Sequence, residues 1–437
     1  MKLSKYTIMF TENENGKTIL FNTLTGAVFK LNEEYKKIIE EKNLENLTDD
    51  ETLLLEKEGI IVGEGESQLE RFNYEHNLYK YDSSILSITW LTTWGCNLEC
   101  TYCFEGDKKD TKIISKTSDI DKMLLFIEKK YEKNQFKYLS LTLFGGEPMV
   151  NYRGIKYLLP KLKEFCEKNK VLLGINMVSN GLLLNKSNLN FMIENDLKMI
   201  QITLDGPKNL HDKKRIYPNG NPTFDRIIDK LIFIRDNFPS LMVCIRINVD
   251  KENYEYIQEL LIYLKEKKLN IMTVDFGIIR DEATSCGNIS NICYPDEELG
   301  EILYRLWSYA VKQGFNMKVI PSKRYTYCGL NRENSYTFSP DMNFYKCWEH
   351  LGDDEHNFGY LRDDGMLIVN NENYYDWMNK NPVEIAECAS CKYLGSCGGG
   401  CSVNSYNQSR TYKAAGCYQV KGVIEKQLLF SLNNKQL

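Results

Sequence analysis

The stretch ILSITWLTTWGCNLECTYCFEG, residues 85–106, decides the architecture. Its first half is an apolar run of strand length, and it ends in a polar, glycine-bearing turn with three cysteines. The same form recurs downstream at YLSLTLFGG (138–146), LLGINMVSNG (172–181), MIQITLDG (199–206), MVCIRINVD (242–250) and IMTVDFGII (271–279). Amphipathic stretches such as DIDKMLLFIEKKYEK (119–133) and GIKYLLPKLKEFCEKNK (154–170) lie between them with helical spacing. Six strand–helix repeats over residues 81–285 predict an α/β domain with a parallel sheet, a partial (β/α)6 TIM barrel. In such barrels chemistry gathers at the carboxyl ends of the strands. The polar residues that fall there are Cys96, Cys100, Cys103, Glu147, Ser179, Asn180, Asp205 and Asn248.

Working outward, residues 1–80 alternate in the strand manner at YTIMFTE, TILFNTL and GAVFKL. Helical stretches follow at EEYKKIIEEK and DDETLLLEKEG, so a compact module of winged-helix character is predicted. EGESQLERFNYEHNLYKYDSS (64–84) reads as a polar connection to the barrel. Beyond the barrel, residues 286–327 form a linker with one ordinary helix, DEELGEILYRLWSYAVKQG. Residues 328–437 then give short segments, glycines and cysteines, a loop-rich domain that needs cross-links.

The 437 residues carry a net charge of −5, which argues against a nucleic-acid binder. No segment has signal-peptide character or the length of a membrane span, so the chain is expected in the cytoplasm with no membrane partner. There its 14 cysteines are metal ligands or core residues rather than disulfides. Cys166, on an amphipathic helix, and Cys244, on a strand, read as buried apolar residues. Only four histidines are present, which makes a histidine-based mechanism unattractive.

Cys96, Cys100 and Cys103 stand at C-x3-C-x2-C spacing, close enough for three thiolates to meet one metal centre. Three ligands on a [4Fe–4S] cubane leave one iron open to bind and reduce a cofactor. Zinc would want a nearby fourth Cys or His, and none stands close in sequence. With Tyr102 as its aromatic, this loop resembles that of the radical S-adenosylmethionine superfamily. Gly145-Gly146-Glu147-Pro148 is similar to that superfamily's GGEP motif, which holds the cofactor's amino group. Ser179, Asn180 and Asn248 resemble cofactor-contacting positions, and Asp205 resembles a strand-four signature. His211 in DGPKNLHDKKR sits where that superfamily often has a similar HDxxR string, with a role facing substrate or a satisfied one at the surface or in the core. The resemblance implies one-electron cleavage of S-adenosylmethionine, giving a 5′-deoxyadenosyl radical that removes hydrogen from an unactivated C–H bond.

Cys388, Cys391, Cys397, Cys401 and Cys417, with Cys328 and Cys347 upstream, resemble the SPASM extension with two auxiliary [4Fe–4S] clusters. The resemblance implies Cys388, Cys391, Cys397 and Cys417 for one cluster and Cys328, Cys347 and Cys401 for the other. Ser322 stands where sulfatase-maturing relatives carry a further ligand, and Met342 where glycine is common. The last site of the three-cysteine cluster is therefore expected to be open, or filled by Cys286 or Cys293. Structural zinc is the alternative for this region, although seven ligands fall short of two tetrahedral sites. TILFNTLTGAVFKLNEEYKKIIE (18–40) resembles the leader-recognition element of peptide maturases, against a structural cap on the barrel. Together these imply a maturase of a ribosomally made precursor peptide, most simply forming a sactipeptide-type thioether from a Cys. A flavodoxin- or ferredoxin-type protein is the implied electron donor. Formylglycine formation on a sulfatase and carbon–carbon cross-linking are the rival outcomes.

Overall fold

The computed structural model describes residues 1–11, 16, 18–103, 105–279 and 293–436. At the N-terminus, β1 (Lys2–Leu3) pairs with β5 (Ile61–Val62), and β2 (Thr7–Thr11), β3 (Thr18–Asn22) and β4 (Val28–Leu31) form an antiparallel sheet in that order. Helices α1 (Glu33–Glu41) and α2 (Asp49–Lys57) follow, the second opened by a capping box between Thr48 and Glu51. Every residue of β3 is buried, because its two faces serve two cores. Leu20 packs with Ile39, Leu55 and Ile60 inside the module, while Phe21 packs with Tyr393, Ile424 and Leu428 of the C-terminal region.

The segment read as a polar connection is a helix, α3 (Gln68–Tyr81), with Ser67 accepting from the Glu70 amide at 3.2 Å. Its buried face carries Phe72, His76 and Lys80, two of them polar, so the apolar periodicity that marks a helix is missing. Those polar groups meet carbonyls instead: His76 Nδ1 lies 2.6 Å from the Tyr325 oxygen, and Lys80 Nζ donates to the Lys380 oxygen at 2.9 Å.

The barrel strands are β6 (Ile85–Leu91), β7 (Tyr138–Phe144), β8 (Leu172–Ser179), β9 (Leu197–Leu204), β10 (Met242–Val249) and β11 (Thr273–Ile278), all parallel and adjacent in chain order. Their crossovers are α4 (Thr117–Asn134), α5 (Tyr152–Asn169), α6 (Lys186–Glu194), α7 (Lys208–Lys214) with α8 (Phe224–Asn237), and α9 (Ile257–Glu266). The core under them is aliphatic, with Ile88, Leu141, Ile175, Ile202 and Ile245 at or near zero exposure.

The C-terminal region does not form a sheet of its own. After α10 (Leu299–Lys312), β12 (Ser335–Phe338) adds in parallel to β6, with Ser335 opposite Ser87. β13 (Asn343–Tyr345), β14 (Gly359–Leu361) and β15 (Leu367–Val369) continue antiparallel, so ten strands run in one sheet. Then come α11 (Asn373–Met378), α12 (Ala386–Ala389), α13 (Leu394–Cys397), α14 (Ser402–Ser409) and α15 (Val423–Asn433). Gly300 lets α10 approach the turn before α15, since a Cβ there would lie 2.7 Å from the Gly422 oxygen. Among the described residues, no helix is long and apolar enough to cross a membrane.

Candidate active site

The three-cysteine loop leaves β6 and is stitched to its neighbours by main-chain bonds. Trp94 donates to the Ile113 oxygen (3.0 Å), Glu99 to Ile216 (2.8 Å) and Thr101 to Lys214 (3.0 Å). From the end of β7, Gly146 and Glu147 donate to the oxygens of Thr93 and Gly95, each at 3.1 Å. This approach needs glycine: a Cβ on Gly146 would sit 2.6 Å from the carbonyl oxygens of both Trp94 and Gly95, and Gly145 has φ +149°. Cys96 Sγ accepts from the Leu98 amide at 3.3 Å. Burial, then the charges of Glu147, Cys100 and Cys103, push its thiol up to about 12, which places the three thiols within electrostatic reach of one another. Such thiols bind as thiolates when a metal displaces their protons, and three soft donors on one loop suit iron–sulfur chemistry.

Glu147 is fully buried at the hinge between β7 and β8. Its Oε1 accepts from Met149 N (3.1 Å) and Ser179 Oγ (2.9 Å), and its Oε2 accepts from Asn180 N (2.7 Å). Burial outweighs these donors and lifts its carboxyl to about 7. Asn180 Nδ2 donates to Asn97 Oδ1 at 2.7 Å, which ties the end of β8 to the cysteine loop. Pro148 opens the short 3-10 turn that follows.

Across the mouth, the ends of β9 and β10 hold a second network. Tyr102 donates its hydroxyl to Asp205 Oδ2 (2.5 Å) and accepts from Arg215 Nη1 (3.0 Å) and Asn248 Nδ2 (3.1 Å). Asn248 Nδ2 also donates to Asp205 Oδ1 at 3.1 Å. Burial raises the Asp205 carboxyl above its ordinary value. Arg215, whose charge is favoured by Tyr102, Cys100 and Asp205, was not singled out from the sequence although it ends the quoted string DGPKNLHDKKR. Its Nε is buried with no hydrogen-bond partner, and both oxygens of buried Glu105 share that state. A guanidinium with an unused donor beside a cysteine triad suits a ligand that bears a carboxylate. His211 faces inward: Nδ1 accepts from the Asp205 amide (3.2 Å) and Nε2 lies 3.0 Å from Thr223 Oγ1.

The C-terminal cysteines separate into two neighbourhoods. Cys388, Cys391, Cys397 and Cys417 act on one another electrostatically, as do Cys328, Cys347 and Cys401. Burial first, then these neighbours, pushes Cys397 up to about 11 and Cys388 up to about 12. Gly398, Gly399 and Gly400 all have positive φ (69°, 93° and 77°), and this reversal sends Cys397 and Cys401 to different groups. Cys286 lies outside the described residues. Cys293 precedes Tyr294, which packs against Tyr254 after β10 with ring centroids 6.0 Å apart. Cys166 is part of the barrel core, and Cys244 is half-buried on β10.

A partial parallel barrel with a cysteine triad on its first loop and polar groups at the following strand ends defines a class of radical enzyme. The Radical SAM superfamily model matches residues 90–264, so this stretch of the chain is a radical SAM domain. The radical SAM cyclopropyl synthase TigE of Paramaledivibacter caminithermalis is 22% identical over 447 residues, covering 91% of this chain and 89% of TigE. A cysteine-type anaerobic sulfatase-maturating enzyme of Clostridium perfringens is 23% identical over 328 residues, covering 70% of this chain and 86% of the enzyme. Among solved structures, anSMEcpe with bound AdoMet superposes with a TM-score of 0.59 at 18% identity over 80% of this chain and 98% of its own. Streptococcus suis SuiB bound to precursor peptide SuiA gives 0.57 at 17% identity over 95% of this chain and 98% of SuiB. These structural likenesses establish the shared fold.

Proposed function

We propose that this chain is a radical S-adenosylmethionine maturase that joins a Cys sulfur of a ribosomally made precursor peptide to a carbon of the same peptide. The observation that carries this reading is the division of the seven C-terminal cysteines into a group of four and a group of three. Four thiolates complete a cubane, whereas three leave one iron for a thiolate from outside. Cys96, Cys100 and Cys103 hold the third cluster at the barrel mouth. Bound there, the cluster and S-adenosylmethionine supply one-electron cleavage and abstraction of a substrate hydrogen. The residues of the chain bind and orient. Glu147 Oε2 keeps a lone pair for an ammonium, the free Arg215 donor takes a carboxylate, and Tyr102, Asp205 and Asn248 present polar atoms opposite. Gly145 and Gly146 let the main chain of the cysteine loop lie against the end of β7, which sets the triad beside Glu147. The leader adds to the N-terminal sheet as an edge strand, and the likeness to SuiB, a protein that binds a precursor peptide, supports a peptide as substrate. A flavodoxin- or ferredoxin-type donor supplies electrons.

The test is anaerobic reconstitution with iron, sulfide, dithionite and S-adenosylmethionine, together with each short Cys-containing peptide that the neighbouring reading frames are found to encode. The expected result is 5′-deoxyadenosine and a peptide lighter by two hydrogens whose cysteine no longer reacts with iodoacetamide. No 5′-deoxyadenosine above background from fully loaded protein overturns the reading. The likeness to the Clostridium perfringens enzyme supports a second reading, formylglycine formation, in which the product loses its sulfur and gains an aldehyde. A peptide lighter by two hydrogens with its thiol intact marks carbon–carbon linkage.

A further inference from the structure

Lys380 follows α11 and is 4% exposed. Lys and Arg are almost never buried unless a compensating anion accompanies them. Here Nζ donates to Ser405 Oγ on α14 at 2.6 Å, and that hydroxyl lies 3.1 Å from the oxygen of Cys401, the residue before the helix. Beside it, Lys80 Nζ donates to the Lys380 carbonyl, so the backbone at this point is also fixed. Burial lowers its pKa to about 8, and the charges that most oppose this come from thiols: Cys401 and Cys328 of one group, Cys388 and Cys397 of the other. Ser405 Oγ lies beside both the Cys401 oxygen and Gly416, the residue before Cys417, so the ammonium sits where the two cysteine neighbourhoods meet, with a neutral hydroxyl as its hydrogen-bond partner.

We infer that Lys380 is a shared counter-charge for the two auxiliary clusters, a positioning residue that holds both of their reduction potentials up. The inference rests on the reading that both cysteine groups hold iron–sulfur clusters. A cubane with three or four thiolates is anionic and gains a further negative charge on reduction. A fixed cation beside it stabilises the reduced form more than the oxidised one, and weak screening in a buried site strengthens the effect. One ammonium shared by two clusters raises both potentials together, which keeps them matched for passing an electron.

The experiment compares wild type, Lys380→Met and Lys380→Arg as full-length, anaerobically reconstituted protein. Iron and sulfide analysis of the wild type comes first. A shortfall from three clusters there strikes the functional reading, whereas the comparison of potentials strikes only the role of Lys380. In an EPR-monitored redox titration, Lys380→Met is expected to make both auxiliary potentials more negative, by about tenfold in the one-electron reduction constant (~59 mV). The cluster of the Cys96 loop should not move, and Lys380→Arg should stay close to wild type. Unmoved auxiliary potentials, or a shift in one alone, overturn the inference. Should Lys380→Met fail to hold auxiliary iron while Lys380→Arg holds it, the requirement for charge is shown by iron content. Loss of iron from both variants marks a packing role and overturns the inference.

Discussion

His211 Nδ1 accepts the Asp205 amide hydrogen, so the neutral ring carries its proton on Nε2 and gives it to Thr223 Oγ1. Thr223 in turn donates to the Arg215 oxygen at 2.6 Å, and this chain of bonds places Arg215 beside Tyr102. A second ring proton would meet the Asp205 amide head-on. Burial and the nearby Arg215 charge accordingly hold His211 down at about 3, against an ordinary 6.5. Its stabilising contribution is complete above about 6.5 and is lost as pH falls toward 3, because the unfolded chain takes up a proton that the folded chain refuses. Urea unfolding of the cluster-free protein should therefore lose about 1.4 kcal/mol per pH unit from this group over that window. His211→Gln should be less stable at pH 7.5 yet show a shallower acid slope; an unchanged slope would count against this tautomer. Tyr102→Phe takes the partner from Asp205 Oδ2 and from Arg215 Nη1 while Asn248 still holds Asp205 Oδ1, at a cost of about 1–3 kcal/mol, and should lower 5′-deoxyadenosine yield more than protein yield. The placement of the cysteines, Glu147 and Asn248 at strand ends was legible because each follows an apolar run of strand length. Arg215 was not, because a lone arginine in a charged string reads as a surface residue until burial is known.

Elements were legible where one period ran unbroken. The six barrel strands came through because each is an apolar run ending in a polar or glycine-bearing turn, a pattern that needs no tertiary knowledge. Helix α3 failed that reading because tertiary carbonyls, rather than apolar neighbours, satisfy two of its inward residues. Strands β12 to β15 failed it because they are only three or four residues long and depend on the β6 edge for pairing. The junction of β7 with the cysteine loop shows how tightly two elements depend on one residue. Gly146→Ala would drive a Cβ to within 2.6 Å of two main-chain oxygens, and neither can swing aside as a side chain could. The expected penalty is about 1–3 kcal/mol in stability, read by thermal unfolding. S-adenosylmethionine cleavage should fall by at least about tenfold, since a 1 Å displacement of a reacting group is enough for such losses.

At the scale of the molecule, the N-terminal sheet is built into the cysteine-bearing region. Tyr6 donates to the Ala389 oxygen (3.0 Å), Thr23 to the Lys392 oxygen (2.7 Å), and Leu24 packs with Cys388 and Leu394. None of this was legible, because the apolar run of β3 shows burial without saying against what. Deleting residues 1–66 would bare this seam, so loss of soluble yield after truncation says nothing about peptide recognition. The open edge of β4 permits a cleaner test. Asn22 donates across to the Ala27 oxygen at 3.0 Å, so by antiparallel alternation Leu20 and Phe29 form the next bonded pair. Val28 and Lys30 then turn their main-chain groups outward, where no strand lies among the described residues. Lys30→Pro removes one outward amide while sparing the ladder to β3 and fits an edge strand. Binding of a fluorescent leader peptide, followed by anisotropy, should weaken at least about tenfold, with the unfolding midpoint nearly unchanged. Lys30→Ala, which keeps the amide, should bind nearly as wild type does. Equal binding by wild type and the proline variant would move leader recognition away from this edge.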